Sequence, residues 1–170
     1  VTVIDGNAKE RRALWDKASG IVIANYELLL RDMEYITPIF WDLIVADEAT
    51  RLANPWTKTY KALYKVRSGR RIALTGTPLI NRPTDFWGIL NWCYPGVLGK
   101  YRAFLDQYAV RNVWGGIFGF RNIQHLRKRI EPLMVRRLRK EVLTQLQEKI
   151  TSDVPIDLSE KEWALYDKIR

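Results

Sequence analysis

The sequence holds one cysteine, Cys93, and one histidine, His125. A lone thiol closes no internal disulfide, and the two residues together cannot assemble the thiolate and imidazole set of a structural zinc site. Both read as ordinary packing or surface. No apolar run approaches the roughly 18 residues of a membrane span, and no signal peptide is legible, so the expectation is a soluble intracellular protein, of cytoplasm or nucleus depending on the organism. Internal repeats, low-complexity linkers and the Asp-x-Asp nucleophile motif of aspartate-based phosphohydrolases are also missing. Acid is in short supply: 19 Asp and Glu face 28 Lys and Arg, giving a formal charge of +9 that favours a polyanionic partner over an acidic protein surface. What remains, 170 residues at 47% hydrophobic content, suffices for one ordinary core with a smaller appendage.

Short apolar runs alternate with helical segments over the first half of the chain. "VTVID", "GIVIAN", "WDLIVAD" and "RRIALTG" read as strands, separated by the amphipathic "AKERRALWDKAS", "YELLLRDMEYI" and "TKTYKALYKV". Continuous apolar character predicts strands covered on both faces, the habit of a parallel sheet in an α/β layer fold. From Pro83 the pattern predicts about 65 residues of helix without strands, broken by "YPGVLGK" and "VWGGIFGF". "KITSDVPIDLS" then reads as an extended connector, and "EKEWALYDKIR" as the start of another helix.

In a parallel α/β sheet, ligands bind beyond the carboxyl ends of the strands. Asp47 and Glu48 stand at such an end, and paired acids there suit hard-cation and water chemistry: one carboxylate holds a Mg²⁺ ion, its neighbour orients or deprotonates a water. A loop residue or helix cap would look the same. At the next strand end, Thr75, Gly76 and Thr77 place small hydroxyl groups around a glycine, where donors can approach a phosphate; a turn closed by Pro78 reads equally well.

Three segments in this order, "IANYELLLRD", "DEATRLANP" and "RRIALTGTPLIN", followed by "DFWGILNWCYPGVLG", resemble the Swi/Snf-type ATPases, double-stranded DNA translocases of the superfamily-two helicase-like class. "LMVRRLRKEVLTQLQEK" is similar to the family's arginine-rich segment leaving its first helical protrusion, and "LSEKEWALYDKI" to the opening of its second motor lobe. The resemblance spans nearly the whole chain. It implies an α/β fold with a partial RecA-like parallel sheet flanked by helices, followed by an all-helical insertion. Residues 1–82 would belong to motor lobe one without its phosphate loop, 83–149 to the insertion, and 150–170 to the connector and start of lobe two.

The resemblance further implies ATP and Mg²⁺ as cofactors, Asp47 as the Mg²⁺-associated acid, and Glu48 as the residue activating water against the γ-phosphate. Thr75, Gly76 and Thr77 would couple nucleotide state to DNA grip, and Asn25, Tyr26 and Glu27 would lie beside the DNA-tracking surface. Asn25 reads equally well as a helix cap. The family's histidine after Asp-Glu-Ala is Thr50 here, which weakens the expected link from the acids to the threonine motif. Missing too is a glycine-rich phosphate loop with its lysine and hydroxyl; "GVLGKY" has two residues between its glycines where the motif has four. The expectation is therefore part of a longer motor, the fragment itself inactive, whose partners are double-stranded DNA, a DNA-bound protein substrate, the rest of lobe one and the second lobe. A non-catalytic DNA-binding or scaffold module with a degenerate motor fold is the alternative.

Arg127, Lys128, Arg129, Arg136, Arg137, Arg139 and Lys140 crowd into one stretch, read as helical and interrupted only by Glu131 and Glu141. Together they form a candidate phosphate-facing surface, sequence-independent and salt-sensitive; a solvated helix face is the plain alternative. Trp87 and Trp92, set among Phe86, Ile89 and Leu90, read as core, not as stacking platforms.

Overall fold

A computed structural model describes residues 1–76, 82–137, 159, 162, 163 and 166. The chain divides into two compact units, Val1–Arg129 and Ile130–Arg170.

The first unit opens with β1 (Thr2–Ile4), α1 (Ala8–Asp16), β2 (Val22–Ala24), α2 (Tyr26–Arg31), α3 (Met33–Ile36) and β3 (Trp41–Ala46). A 3-10 turn (Ala49–Leu52), α4 (Lys58–Lys65), β4 (Ser68–Ala73) and α5 (Pro83–Cys93) follow. The strands pair in parallel, β1 with β2 and β3 with β4, each pair bridged by a helical crossover as parallel pairing requires. Local chemistry sets the helix starts. Asn7 accepts from the backbone of Lys9 and Glu10 while Glu10 reaches back to the Asn7 N–H, a closed capping box. Asn25 and Thr57 cap α2 and α4 by accepting the Leu28 and Tyr60 N–H groups.

Two of the buried clusters among the described residues lie against the parallel strands. Ile4, Trp15, Ile36 and Val66 pack around β1 and β2, while Ala46, Ala49, Leu52, Tyr60, Leu63, Ile89 and Trp92 pack around the end of β3. Asp32, only 2% exposed, joins α1 to the α2–α3 break by accepting from Arg11 and from Trp15 Nε1 at 3.0 Å. Burial alone would raise its pKa, but the Arg11 and Trp15 hydrogen bonds outweigh it and hold the carboxyl below its ordinary value. Arg71 plays a similar part without a carboxylate. Its guanidinium donates to the carbonyls of Tyr64, Val66 and Trp92, tying the ends of α4 and α5 to β4.

The expectation of strands covered on both faces does not hold. Val3 and Ile23 are each 52% exposed and Val45 50%, because the helical side chains of the core gather on the alternate face, around Ile4, Ala24, Ile44 and Ala46. A second correction concerns the segment from Pro83, expected to be all-helical: helices are present as α5, α6 (Tyr101–Tyr108) and α7 (Ile123–Ile130), but between α6 and α7, β5 (Ala109–Arg111) and β6 (Ile117–Phe120) form an antiparallel hairpin. Asn112 closes the loop, its side-chain oxygen accepting from Trp114 and Gly116. Trp87 and Trp92 are buried, as read; Cys93 is half-buried, and His125 is hydrogen-bonded to the Tyr108 hydroxyl at 2.8 Å.

In the second unit, a 3-10 turn spans Glu131–Leu133. Glu162 accepts from both the N–H and the hydroxyl of Ser159, an N-terminal cap for the helical backbone at 162, 163 and 166, where a helix was expected.

Candidate functional site

The acidic pair sits where β3 ends. Glu48 adopts a left-handed backbone, φ 47° and ψ 50°, an uncommon conformation for a residue with a Cβ and one that persists only where neighbours enforce it. Those neighbours are identifiable. The Asp47 carboxylate accepts the Glu48 N–H at 2.9 Å, the Ala49 N–H donates to Leu74 O at 2.9 Å, and the Leu74 N–H donates to Ala46 O at 2.8 Å. Ala49 and Leu52 anchor the following 3-10 turn with no exposed surface. Both carboxylates remain exposed at the strand end.

Leu74 immediately precedes Thr75 and Gly76, so the backbone joins the acid turn to the threonine segment. Thr50 turns inward on its own loop, its hydroxyl donating to Glu48 O at 3.4 Å. Gly76 has open space where a Cβ would stand, room for close approach of a ligand. Thr77 lies outside the described residues.

The third candidate segment joins the same site. Asn25 accepts the Leu28 N–H at 2.8 Å as the cap of α2, and Tyr26 donates its hydroxyl to Asp47 O at 2.7 Å. Burial first, then the Asp47 charge, raise the Tyr26 phenol above its ordinary pKa. Arg51 lies over the Tyr26 ring and pairs with Glu27, whose carboxyl is held low by its own backbone N–H and by Arg51. Sequence reading placed Tyr26 beside DNA and missed this bond, which spans 21 positions. It also missed Gly88, whose absent side chain lets α5 touch the carbonyls of Leu52 and Ala53 just past the acid turn.

Among the described residues no group of three or more His, Cys, Asp and Glu could hold a metal alone. Asp47 fits the lesser part a nucleotide-bound Mg²⁺ requires: one carboxylate oxygen is engaged by Glu48 N–H, leaving the second for an ion shared with phosphates.

The basic stretch is not one helix. Arg127 and Lys128 are exposed on α7, which ends at Ile130 ahead of Pro132; exposed Arg136 and Arg137 follow in non-helical chain. Arg129 is engaged, donating to Val97 O at 2.8 Å. Arg139 and Lys140 lie outside the described residues.

Comparison with known proteins converges on one family. The family model of the SNF2-related domain matches residues 1–170. An uncharacterized ATP-dependent helicase of Mycoplasma genitalium is 31% identical over 99% of this chain, and the chromatin-remodeling ATPase INO80 of Candida albicans 26% identical over 97%. The chain spans only 16% and 13% of those two proteins. The Sulfolobus solfataricus SWI2/SNF2 ATPase core in complex with dsDNA superposes with a TM-score of 0.67 at 32% identity, covering 98% of this chain and 34% of that one. The family match over residues 1–170, with a strand-end acid pair whose turn is tied to the threonine segment through Leu74, identifies this chain as a member of the SNF2-related domain family.

Proposed function

We propose that this chain is part of an ATP-dependent double-stranded DNA translocase. The observation that carries the reading is the Glu48 turn, an exposed carboxylate on a left-handed backbone at a parallel strand end, in a turn whose flanking residues Ala46 and Ala49 bond through their backbones to Leu74, next to Thr75. In this reading Glu48 orients and deprotonates the water that attacks the γ-phosphate of ATP. Asp47 would hold Mg²⁺, directly or through water; when bound, that ion supplies charge neutralisation at the phosphate oxygens. Tyr26 and Leu74 fix the turn from two sides, so that Thr75, Gly76 and Thr77 on one side and α2 on the other respond to the same nucleotide.

Residues 1–82 would form part of lobe one, 83–149 the insertion and 150–170 the way into lobe two. The phosphate-cradling loop and the second lobe would come from outside these residues, and closure of two lobes over DNA would produce stepping. Asn25, Arg127, Lys128, Arg136, Arg137, Arg139 and Lys140 would face phosphates; these contacts are sequence-independent, as movement along any duplex requires. A DNA-bound protein is the expected cargo.

Thr50 in place of the family's histidine favours a second reading, a DNA-binding scaffold without turnover. Mg²⁺-dependent ATP hydrolysis by the full-length protein, with and without duplex DNA, separates the two. DNA-stimulated turnover supports the motor; salt-sensitive DNA binding with no turnover supports the scaffold.

A further inference from the structure

Between Ala49 and Thr84 the sequence contains no Asp or Glu but eight Lys and Arg, nearly the whole net charge of +9. Two of these cations are spent internally, Arg51 on Glu27 and Arg71 on three carbonyls. Lys58, Lys61 and Lys65 are not. They are exposed on α4, within about 60° of arc at 3.6 residues per turn, and none has an ion-pair partner among the described residues.

Beside this stripe, α4 contributes Tyr64 to a shallow groove of about 560 Å³ whose other walls include Trp87, Asn91, Lys100 and Tyr101. Trp56, 63% exposed, extends the wall: its ring meets Tyr101 edge to face at 5.8 Å, and Tyr101 meets Trp87 the same way at 5.0 Å. Two polar side chains of the recess are already matched. Trp87 Nε1 donates to Gly99 O, while Asn91 donates to the Tyr60 hydroxyl and accepts from Gly96. Lys100 supplies the groove's own cation.

We propose that this face docks a partner-protein segment in which carboxylates flank an aromatic or large aliphatic side chain. The apolar residue enters the recess, where rings already held by one another need little ordering, and the carboxylates meet Lys58, Lys61, Lys65 and Lys100. Charge complementarity selects an anionic partner, and the aromatic recess beside the lysines selects an acidic protein segment over a bare polyanion. Ring geometry selects a peptide over single-stranded nucleic acid: edge-to-face packing at 72° and 86° makes a recess for a side chain, not parallel platforms for successive bases. This surface is independent of the ATP reading.

The test is fluorescence anisotropy on the full-length protein with a labelled synthetic peptide of glutamates flanking two phenylalanines. A second peptide with serines in place of the phenylalanines, oligothymidine and a short duplex serve as comparison probes. Saturable binding is expected, weakened about tenfold by Lys58→Glu, Lys61→Glu and Lys65→Glu combined, by Tyr101→Ala, and by the serine peptide. If Tyr101→Ala fails to fold, Lys100→Glu reads the same groove from its surface. Equal binding of the serine peptide, no peptide binding, or charge reversals that weaken only oligothymidine or duplex binding would each overturn the proposal.

Discussion

A single methyl group at Gly88 tests how closely α5 is pressed against the turn beyond the acid pair. A Cβ there would stand 2.2 Å from Ala53 O and 2.6 Å from Leu52 O, about an ångström inside ordinary contact. Both obstacles are backbone atoms and cannot swing aside as a flexible side chain would, so α5 has to retreat. Overpacking of this kind costs about 3 kcal/mol at the upper end of its usual range. The better helix propensity of alanine returns about 1 kcal/mol. Gly88→Ala should therefore destabilise the chain by about 2 kcal/mol, a drop of about 4–8 °C in melting temperature for a chain of this size. Urea titration or calorimetry reads this directly. In the full-length protein the same variant should slow ATP turnover, since α5 braces the turn containing Ala49 and Leu52. A Gly88→Ala protein as stable as the parent would refute the close approach.

Tyr26→Phe removes one hydroxyl hydrogen bond to Asp47 O and nothing else from the packing. A net loss of about 1 kcal/mol at the Glu48 turn predicts about a fivefold fall in kcat with little change in KM for ATP; unchanged kcat would remove Tyr26 from the site. Cys93 should be inert: burial pushes its thiol from 9.0 up to about 11, so the thiolate fraction near neutral pH falls by about a hundredfold. Alkylation should be slower by that factor in native protein than in urea, and equal rates would contradict the burial.

Much of the fold is legible because periodicity reports it: the strand-helix alternation through β4 lies where the apolar runs predict. The β5–β6 hairpin escaped because its strands are three and four residues long and carry Gly119 beside the Gly115–Gly116 loop, a composition that reads as a break. Exposure of Val3, Ile23 and Val45 was hidden for a different reason, since an apolar strand looks the same whether or not its second face is covered. Within the site, Asp47, Glu48 and Thr75 announce themselves by type and place. The Tyr26 bond to Asp47 does not, because hydrogen bonds between distant segments leave no local pattern. Nor does Gly88, which in isolation is only a weak helix former. The acid turn and the threonine segment are joined through Leu74 by backbone bonds, which any residue type can make.

In the proposed motor, Glu48 activates the water that attacks ATP. Steady-state ATP hydrolysis by the full-length protein in Mg²⁺ and duplex DNA, compared with Glu48→Gln, tests this role most directly, because the amide keeps the shape and the left-handed turn while removing the base. Loss of turnover with nucleotide binding retained is the expected result. Turnover by Glu48→Gln at the parent rate would contradict it.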